Sequence, residues 1–306
     1  MLDTAIIGGG AAGLSAALYL GRFRRQVIIF DTQRQANRFS HAAHSFFTRD
    51  GAAPSDLIAI GREQLRKYET VRLQMSEVFR VTPEPHHFVL TLADGATYEA
   101  RKLLLATGLK DTLPPIPGIE PFWGRSVFHC PYCDGWELHD QPVGIISSGE
   151  SALHVTKLLR LLTRDLVICT NGEAEFNEPQ RALLDALHVR MIETPIDHLA
   201  GREAQVEQIV FADGSSLARS GIFIRPTSTQ QSPIAAQLGC AISENGLVQV
   251  DEFGHTSVSG VYAAGDMANR FRQLVGAAMQ GAAAASGIIM DLIAEDFGVQ
   301  AESIER

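Results

Sequence analysis

The stretch TAIIGGGAAG at residues 4–13 decides the fold. It begins with a short apolar run that ends in a glycine cluster, and an alanine-rich helical pattern then continues to about Phe23. A second apolar run, Val27 to Phe30, ends at Asp31. Strand, glycine turn, helix and strand within about 30 residues is the layout of a dinucleotide-binding unit.

The glycine spacing in this stretch gives each glycine a separate task. In Gly8-x-Gly10-x-x-Gly13, the first glycine allows a tight turn, the second lets a pyrophosphate approach the backbone, and the third lets helix and strand pack closely. The phosphate charge then faces the positive N-terminus of the helix. An acid about 20 residues further on is at the reach of the ribose hydroxyls. The predicted dinucleotide contacts in this region are Gly8, Gly10, Ala11, Ala12, Gly13 and Asp31.

The same strand–turn–helix–strand plan occurs a second time in the chain. An apolar run at residues 142–146 leads into SSG at 147–149, and after a helical pattern comes the apolar run at 166–169. Residues 112–118, TLPPIPG, separate the two units, and their prolines predict a linker because they forbid helix and cannot occupy a central strand. A chain of 306 residues with this duplication is predicted to be a two-domain α/β protein.

Composition and charge argue against several classes of partner. Lys and Arg number 26 against 35 Asp and Glu, a formal charge of −9, so neither nucleic acid nor an anionic membrane is an expected partner. No run of about 20 apolar residues without breakers is present. The N-terminus has neither a basic region nor a cleavage site, and the 4 cysteines are too few for a disulfide-stapled secreted fold. We therefore expect a soluble, cytoplasmic protein.

A close pair of cysteines, Cys130-Pro-Tyr-Cys133, carries the chemistry. Two cysteines at this spacing can close a small ring, and a short constrained turn keeps the disulfide reducible. A metal site would need two more ligands, but Cys169 and Cys240 are isolated in the sequence. Haem attachment would need a histidine after the second cysteine, whereas His129 precedes the first. The pair is predicted to be a redox-active disulfide, with no metal.

Three further segments resemble those of the flavoprotein disulfide reductases. VYAAGD at residues 261–266 resembles their second FAD motif, ATG at 106–108 resembles their connecting motif, and RQLVGAA at 272–278 resembles the segment that opens the last helix under the flavin. The resemblance implies FAD as the cofactor. It adds the expected FAD contacts Thr107, Gly108, Gly265, Asp266, Arg272, Gln273, Leu274 and Ala277.

The whole chain resembles the low-molecular-weight thioredoxin reductase family. The resemblance implies two Rossmann-like, three-layer domains and a homodimer. Residues 1–113 and 243–306 would form the FAD domain, and residues 114–242 an inserted NAD(P)-type domain that carries the cysteine pair. It also implies that Cys133 faces the flavin, that Cys130 exchanges with the substrate, and that Asp134 is the acid/base beside them. For Asp134, a turn residue before glycine is the alternative.

The chain departs from that family in its second glycine loop. The possible nicotinamide contacts there are Ser148, Gly149, Glu150 and Ser151, and only one of the usual three glycines remains. After the next strand, typical members carry His-Arg-Arg for the NADPH 2′-phosphate, whereas this chain has CTNG at residues 169–172. Each missing arginine removes about tenfold or more in affinity. Arg225 is a candidate replacement or a salt-bridge residue, so use of NADPH or NADH stays open.

The cysteine segment itself resembles another branch of the family. HCPYC at residues 129–133, followed by GWE at 135–137, is similar to the bacterial and fungal dithiol oxidases of the gliotoxin and holomycin type. Those enzymes close disulfides in small metabolites with oxygen as electron acceptor, and often carry histidine where this chain has Asp134. His41 and His44 resemble positions near the flavin in this group. Either is a candidate base toward a substrate thiol, and a surface-loop histidine is the alternative for each.

These features predict FAD-dependent exchange between the cysteine pair and a dithiol or disulfide, on a small molecule or a thioredoxin-like protein. The missing arginines favour thiol oxidation by oxygen or an electron donor other than NADPH, such as ferredoxin, whereas Asp134 favours a reductase that uses NADPH or NADH. Thiol oxidation is the preferred hypothesis. A third hypothesis is a redox-sensing flavoprotein without turnover.

Overall fold

The computed structural model describes residues 1–298, and the apolar runs that flank the first glycine cluster are strands in it. The elements before the linker are β1 (Leu2–Ile7), α1 (Ala11–Arg22), β2 (Val27–Phe30), α2 (Pro54–Leu65), β3 (Val71–Gln74), β4 (Val78–Glu84), β5 (His87–Leu92) and β6 (Thr97–Leu105). A short 3-10 turn, Ala36–Phe39, follows β2.

The linker leads into a second set of elements. They are β7 (Leu109–Thr112), β8 (Val127–Phe128), α3 (Pro131–Asp134), β9 (Val143–Ile146), α4 (Gly149–Leu159), β10 (Leu166–Cys169), α5 (Glu178–Ala186), β11 (Arg190–Ile192), β12 (Ile196–Arg202), β13 (Gln205–Phe211), β14 (Ser216–Ala218), β15 (Gly221–Ile224) and β16 (Thr227–Gln230). The chain then continues through α6 (Ile234–Gln237), β17 (Val261–Ala263) and α7 (Leu274–Phe297). Short 3-10 turns occur at Glu120–Phe122 and Trp136–Leu138.

One unit of the protein is built around a sheet with strand order β3-β2-β1-β6-β5-β4, and β17 also pairs with β6. Strands β3, β2, β1, β6 and β17 are parallel, whereas β4, β5 and β6 form an antiparallel meander. Alternate residues of one strand face opposite sides of a sheet. Accordingly Ile6 is buried with residues of α1 and α7, whereas Ile7 is buried with residues of the meander.

The other unit has three layers. Its central sheet, in the order β11-β10-β9-β15-β8, is entirely parallel. Leu166 and Ile168 pack with residues of α4 and α5 on one face, whereas Val167 and Cys169 pack with the antiparallel strands β12 and β13 on the other. The predicted α/β fold with two Rossmann-like domains is confirmed.

The compact units of the structure are drawn at other limits than the domain boundaries expected from the sequence, which stay a prediction. Within the described residues, the first unit comprises residues 1–38, 54–110 and 229–298, and the second comprises 39–53 and 111–228. Before the expected return to the first domain at residue 243, Ile234 and Cys240 are already buried in the core cluster formed around the meander. Residues 39–53 also belong to the second unit. Phe39 lies so close to Gly124 that a Cβ at Gly124 would be 2.9 Å from the Phe39 Cβ.

Helix α7 is long and apolar for a reason that lies in its packing. Within the described residues it is the one helix that could cross a membrane by length and composition, with a mean hydropathy of 1.4 over 18 residues, of which 39% are buried. The core helix of a soluble protein meets the same criterion. Ala284, Ala285 and Ile288 of α7 are buried against α1 and the sheet, and Asp291 accepts a hydrogen bond from the buried Tyr262 hydroxyl.

The α1–α7 contact yields a stability prediction. A Cβ at Gly281 would lie 2.0 Å from the Ala12 carbonyl oxygen, so we expect Gly281→Ala to lower the free energy of unfolding by about 1–3 kcal/mol. At Gly276, on the same helix, a Cβ would lie 3.5 Å from the nearest atom, and Gly276→Ala should leave stability unchanged or raise it. Urea unfolding of both variants measures the difference, and equal stabilities would show that α7 does not need this close approach.

Candidate active site

The first glycine turn is tight at two positions and open at a third. Gly8 has φ +116°, and a Cβ there would lie 2.1 Å from the Ala106 carbonyl oxygen. A Cβ at Gly13 would lie 1.9 Å from the Gly8 oxygen, whereas a Cβ at Gly10 would have nothing within 4 Å. The space at Gly10 therefore adjoins the N-terminus of α1, where Ala11 is the first residue. This geometry fits a pyrophosphate against the backbone.

The acid after β2 is held by neighbouring groups of its own unit. Asp31 is 3% exposed and accepts hydrogen bonds from Arg62 Nη2 at 2.6 Å and from the Gln33 N–H at 2.8 Å. A Cβ at Gly9 would lie 2.4 Å from Asp31 Oδ2. No sequence motif points to Arg62, which lies 31 positions from Asp31 on α2. The contact of Gly9 with Asp31 was not predicted either. Asp31 as a ribose contact stays a prediction.

The predicted FAD contacts at the other end of the chain meet at the carboxyl ends of β6 and β17. A Cβ at Gly265, which has φ +82°, would lie 3.1 Å from Ala12 Cβ and 3.9 Å from Ala277 Cβ. Two side-chain contacts hold the same region: Arg272 Nε lies 3.4 Å from Asp266 Oδ2, and Thr107 Oγ1 lies 3.5 Å from Met267 Sδ. Gly108 has φ +70°. Gln273 is the N-cap of α7, and Leu274 is its first residue. Gly265 thus lies against the start of α1, which fits a dinucleotide bound by both motifs.

The cysteine pair lies at the start of the short helix α3. Cys130 and Cys133 form a disulfide with Cα atoms 5.3 Å apart. The N–H groups of Cys133 and Asp134 both donate to the Cys130 carbonyl oxygen, at 3.1 and 3.2 Å. Pro131 suits the first helical position, because it needs no donor there. A Cβ at Gly135 would lie 2.4 Å from the Pro131 oxygen, so this glycine is required for α3 to end where it does.

The carboxyl group beside the pair has an unusual proton affinity. Burial raises the pKa of Asp134 to about 7, and the negative charge of Glu137 acts in the same direction. A carboxyl with this pKa can donate or accept a proton at neutral pH. Burial also raises the pKa of the Cys169 thiol to about 12 and raises that of Cys240, so both stay protonated. Within residues 1–298, no cluster of three or more ligating side chains could hold a metal ion.

The two predicted histidines lie on the segment 39–53, within the second unit. The His41 ring contacts the Arg125 guanidinium. His44 Nε2 lies 3.3 Å from Glu137 Oε1, and its Nδ1 lies 3.7 Å from Asp50 Oδ1. The structure thus places both histidines against charged side chains that the sequence analysis did not single out. A role as base toward a substrate thiol stays a prediction for each.

Polar side chains of the second glycine loop form hydrogen bonds with neighbouring residues of the protein. Ser148 Oγ accepts the Glu175 N–H at 2.7 Å, and a Cβ at Gly149 would lie 3.4 Å from the Glu175 carbonyl oxygen. Glu150 Oε2 accepts from Gln180 Nε2 at 3.2 Å, and Ser151 follows it in the first turn of α4. The loop after β10 is closed as well, because Asn171 Oδ1 accepts the Ile196 N–H at 2.7 Å.

Comparison with known proteins identifies the family. Residues 2–281 match the pyridine nucleotide-disulphide oxidoreductase family. The chain belongs to this family. Thioredoxin reductase sirT of Leptosphaeria maculans is 32% identical, over 99% of this chain and 98% of its own. The structure of Bacillus anthracis TrxB, assigned as a thioredoxin reductase, is 38% identical with a TM-score of 0.93, covering 97% of this chain and 100% of that one. The structure of HlmI is 34% identical with a TM-score of 0.92, covering 97% and 94%.

Membership of the pyridine nucleotide-disulphide oxidoreductases confirms the central predictions. The protein is a thioredoxin reductase-like disulfide oxidoreductase with FAD as its cofactor. The open space at Gly10 and the joined motifs at Gly265 fit that cofactor. The individual site residues, the domain boundaries, the homodimer and the cytoplasmic location stay predictions.

The open position in the first glycine turn predicts a separation of folding from FAD binding. Gly10 has φ −82°, so Gly10→Ala should leave the apoprotein as stable as wild type while its methyl group occupies the pyrophosphate space. We expect bound FAD to fall at least tenfold, measured by absorbance of the purified protein. Gly13→Ala is the matched variant that should lose both FAD and stability, because of the clash with Gly8. Full FAD content in Gly10→Ala would show that the pyrophosphate does not bind next to Gly10.

The pKa of Asp134 predicts a pH dependence of the disulfide. We expect the rate constant for reduction by dithiothreitol, expressed per dithiothreitol thiolate, to fall as the pH rises through about 7, because the protonated carboxyl returns its proton to the leaving sulfur. In Asp134→Asn this fall should vanish. Rapid acid quenching, thiol labelling and mass spectrometry of the Cys130–Cys133 peptide measure the rate. A fall that persists in Asp134→Asn would assign it to another group.

Proposed function

We propose that this protein oxidises a dithiol substrate to a disulfide, with the Cys130–Cys133 pair as the relay and oxygen as the final electron acceptor. The observation that carries the proposal is the second glycine loop. Its Ser148 hydroxyl accepts the Glu175 N–H, Glu175 lies next to Gly149, and Glu150 lies in the first turn of α4.

Charge at this loop argues against a phosphorylated nicotinamide cofactor. A nucleotide pyrophosphate placed at the start of α4 would meet the carboxylates of Glu150 and Glu175, and like charges in close contact repel. The CTNG segment after β10 supplies no arginine for a 2′-phosphate, and its Asn171 is engaged by the backbone of β12. Arg225 is exposed on the turn between β15 and β16.

The proposed oxidation begins at the interchange sulfur. A substrate thiolate attacks Cys130 Sγ, the Cys130–Cys133 bond breaks, and a mixed disulfide forms while Cys133 leaves as a thiolate. The second substrate thiolate then attacks the substrate sulfur that is bonded to Cys130 Sγ. This step releases the substrate disulfide and leaves Cys130 reduced. One S–S bond is formed for each one broken, and two electrons and two protons now reside on the pair. The sum with oxygen is one substrate disulfide and one hydrogen peroxide.

Asp134 handles the proton of this exchange. In its acid form it supplies a proton to the sulfur that leaves, and in its base form it takes a proton from the reduced pair before the electrons are passed on. Its pKa near 7 gives both forms comparable populations at neutral pH. When bound, FAD supplies two-electron exchange between the pair and the acceptor, and the open turn at Gly10 and the motif at Gly265 are the groups that would hold it.

The second candidate is a reductase that runs the same exchange in the opposite direction. Relatives named thioredoxin reductase, sirT among them, support it, and an acid beside the pair suits the return of a proton to a thiolate. Electrons would then come from NADPH, NADH or ferredoxin, and a thioredoxin-like protein would be the substrate. A redox-sensing flavoprotein without turnover is the remaining hypothesis.

Flavin absorbance under anaerobic conditions separates these functions. We expect dithiothreitol alone to bleach the flavin of the purified protein, and air to restore the colour with one hydrogen peroxide formed per flavin. NADPH or NADH at stoichiometric concentration should leave the colour unchanged. Cys133→Ser is the control, because it keeps the substrate-facing thiol but cannot form the internal disulfide, and it should not bleach. Rapid bleaching by either nicotinamide would make the protein a reductase.

A further inference from the structure

The segment 39–53 contacts the redox-active part of the second unit at successive points. Phe39 packs on Gly124, and the His41 ring meets Arg125. His44 then reaches Glu137, in the 3-10 turn that follows α3. The last contact lies three residues from Asp134, which adjoins the disulfide.

His44 is held between two carboxylates. Its Nε2 lies 3.3 Å from Glu137 Oε1 and its Nδ1 lies 3.7 Å from Asp50 Oδ1, and 22% of its side chain is exposed. Asp50 is itself fixed, because Oδ1 accepts the Ser45 N–H at 2.7 Å. Both ring nitrogens therefore face negative charge, and a protonated ring would form an ion pair on each side.

Glu137 connects this histidine to the acid beside the cysteines. The negative charge of Glu137 contributes to the raised pKa of Asp134, after burial. A donor group against Glu137 offsets part of that charge, and loss of the donor restores it. We propose that His44 is a positioning residue for Asp134 that acts through Glu137: its Nε2, 3.3 Å from Glu137 Oε1, holds this carboxylate against the segment 39–53 and offsets part of the negative charge that Asp134 faces.

This arrangement links the His44–Glu137 contact to the proton on Asp134. While the His44 ring lies against Glu137, it offsets part of the negative charge that Asp134 faces. Without the ring, the Glu137 carboxylate faces Asp134 without that offset, and Asp134 ionises at a higher pH. Helix α4 also packs against α3, and its titratable and charged side chains are Glu150, His154 and Lys157. These stay the same in every variant below.

The inference rests on the proposed exchange at the Cys130–Cys133 disulfide, and not on which group finally accepts the electrons. It also differs from a role for His44 as base toward the substrate. A base would change the rate without moving the pH at which Asp134 titrates. A residue that acts through Glu137 moves that pH and leaves the rate at low pH, where Asp134 is protonated in all variants, close to that of wild type.

The test is the pH profile of disulfide reduction by dithiothreitol, per thiolate, measured by mass spectrometry of the quenched and labelled peptide. Glu137→Gln should lower the midpoint by about one pH unit, because a repelling carboxylate is removed. His44→Gln should raise the midpoint, because the ring that lies against Glu137 is removed. The double variant should behave like Glu137→Gln alone. His198→Gln is the matched control, because His198 pairs with Asp197 at 2.7 Å on β12, and its midpoint should equal that of wild type.

The outcomes separate this inference from the proposed function. If the wild-type disulfide is not reduced by dithiothreitol at any pH, exchange at the pair is refuted, and the proposed function falls with it. If reduction occurs but the His44→Gln midpoint matches wild type while Glu137→Gln shifts, His44 does not act through Glu137. Equal midpoints in all variants would overturn the part assigned to Glu137 as well.

Discussion

Two backbone carbonyl groups leave no room for a side chain at the junction of β1 and α1. The Ala106 oxygen occupies the position of a Cβ at Gly8, and the Gly8 oxygen occupies that of a Cβ at Gly13. This close approach fixes where α1 starts relative to the central strand. The other parts of the first site follow, because the Gly265 turn packs against α1 and α7 passes over α1 where Gly281 meets Ala12.

Local pattern was sufficient for the elements that this constraint organises. The glycine spacing, the apolar runs and the cysteine pair are each contained in short stretches, and alternate burial along Ile6 and Ile7 follows from the geometry of a strand. The contacts that sequence reasoning missed join residues far apart in the chain. The contacts of Arg62 with Asp31 and of His44 with Glu137 are single polar pairs without periodicity, so no sequence motif indicates them. The first unit resumes at Thr229, close to helix α6. This helix has four residues and is too short to show a periodic pattern in the sequence.

The two glycine turns share one fold plan but have different surroundings. Both follow a buried parallel strand and precede a helix. The first is open at Gly10, whereas the second is lined by Glu175 and followed by Glu150. Burial of apolar strands maintains the second sheet whatever its loop binds. A Cβ at Gly149 of the second loop would meet no atom closer than 3.4 Å, whereas at Gly8 and Gly13 of the first loop backbone carbonyl groups occupy its place.

The segment 39–53 leaves the chain of one unit, folds with the other and returns. Residues 111–228, taken alone as a module, would lack the Phe39 backbone and Cβ that lie against Gly124 and the histidine that contacts Glu137. Exchange of that module between homologues by recombination at its two linkers would therefore separate the acid beside the cysteines from part of its surroundings. A chimera that keeps these contacts must transfer both segments of the second unit, residues 39–53 and 111–228, together.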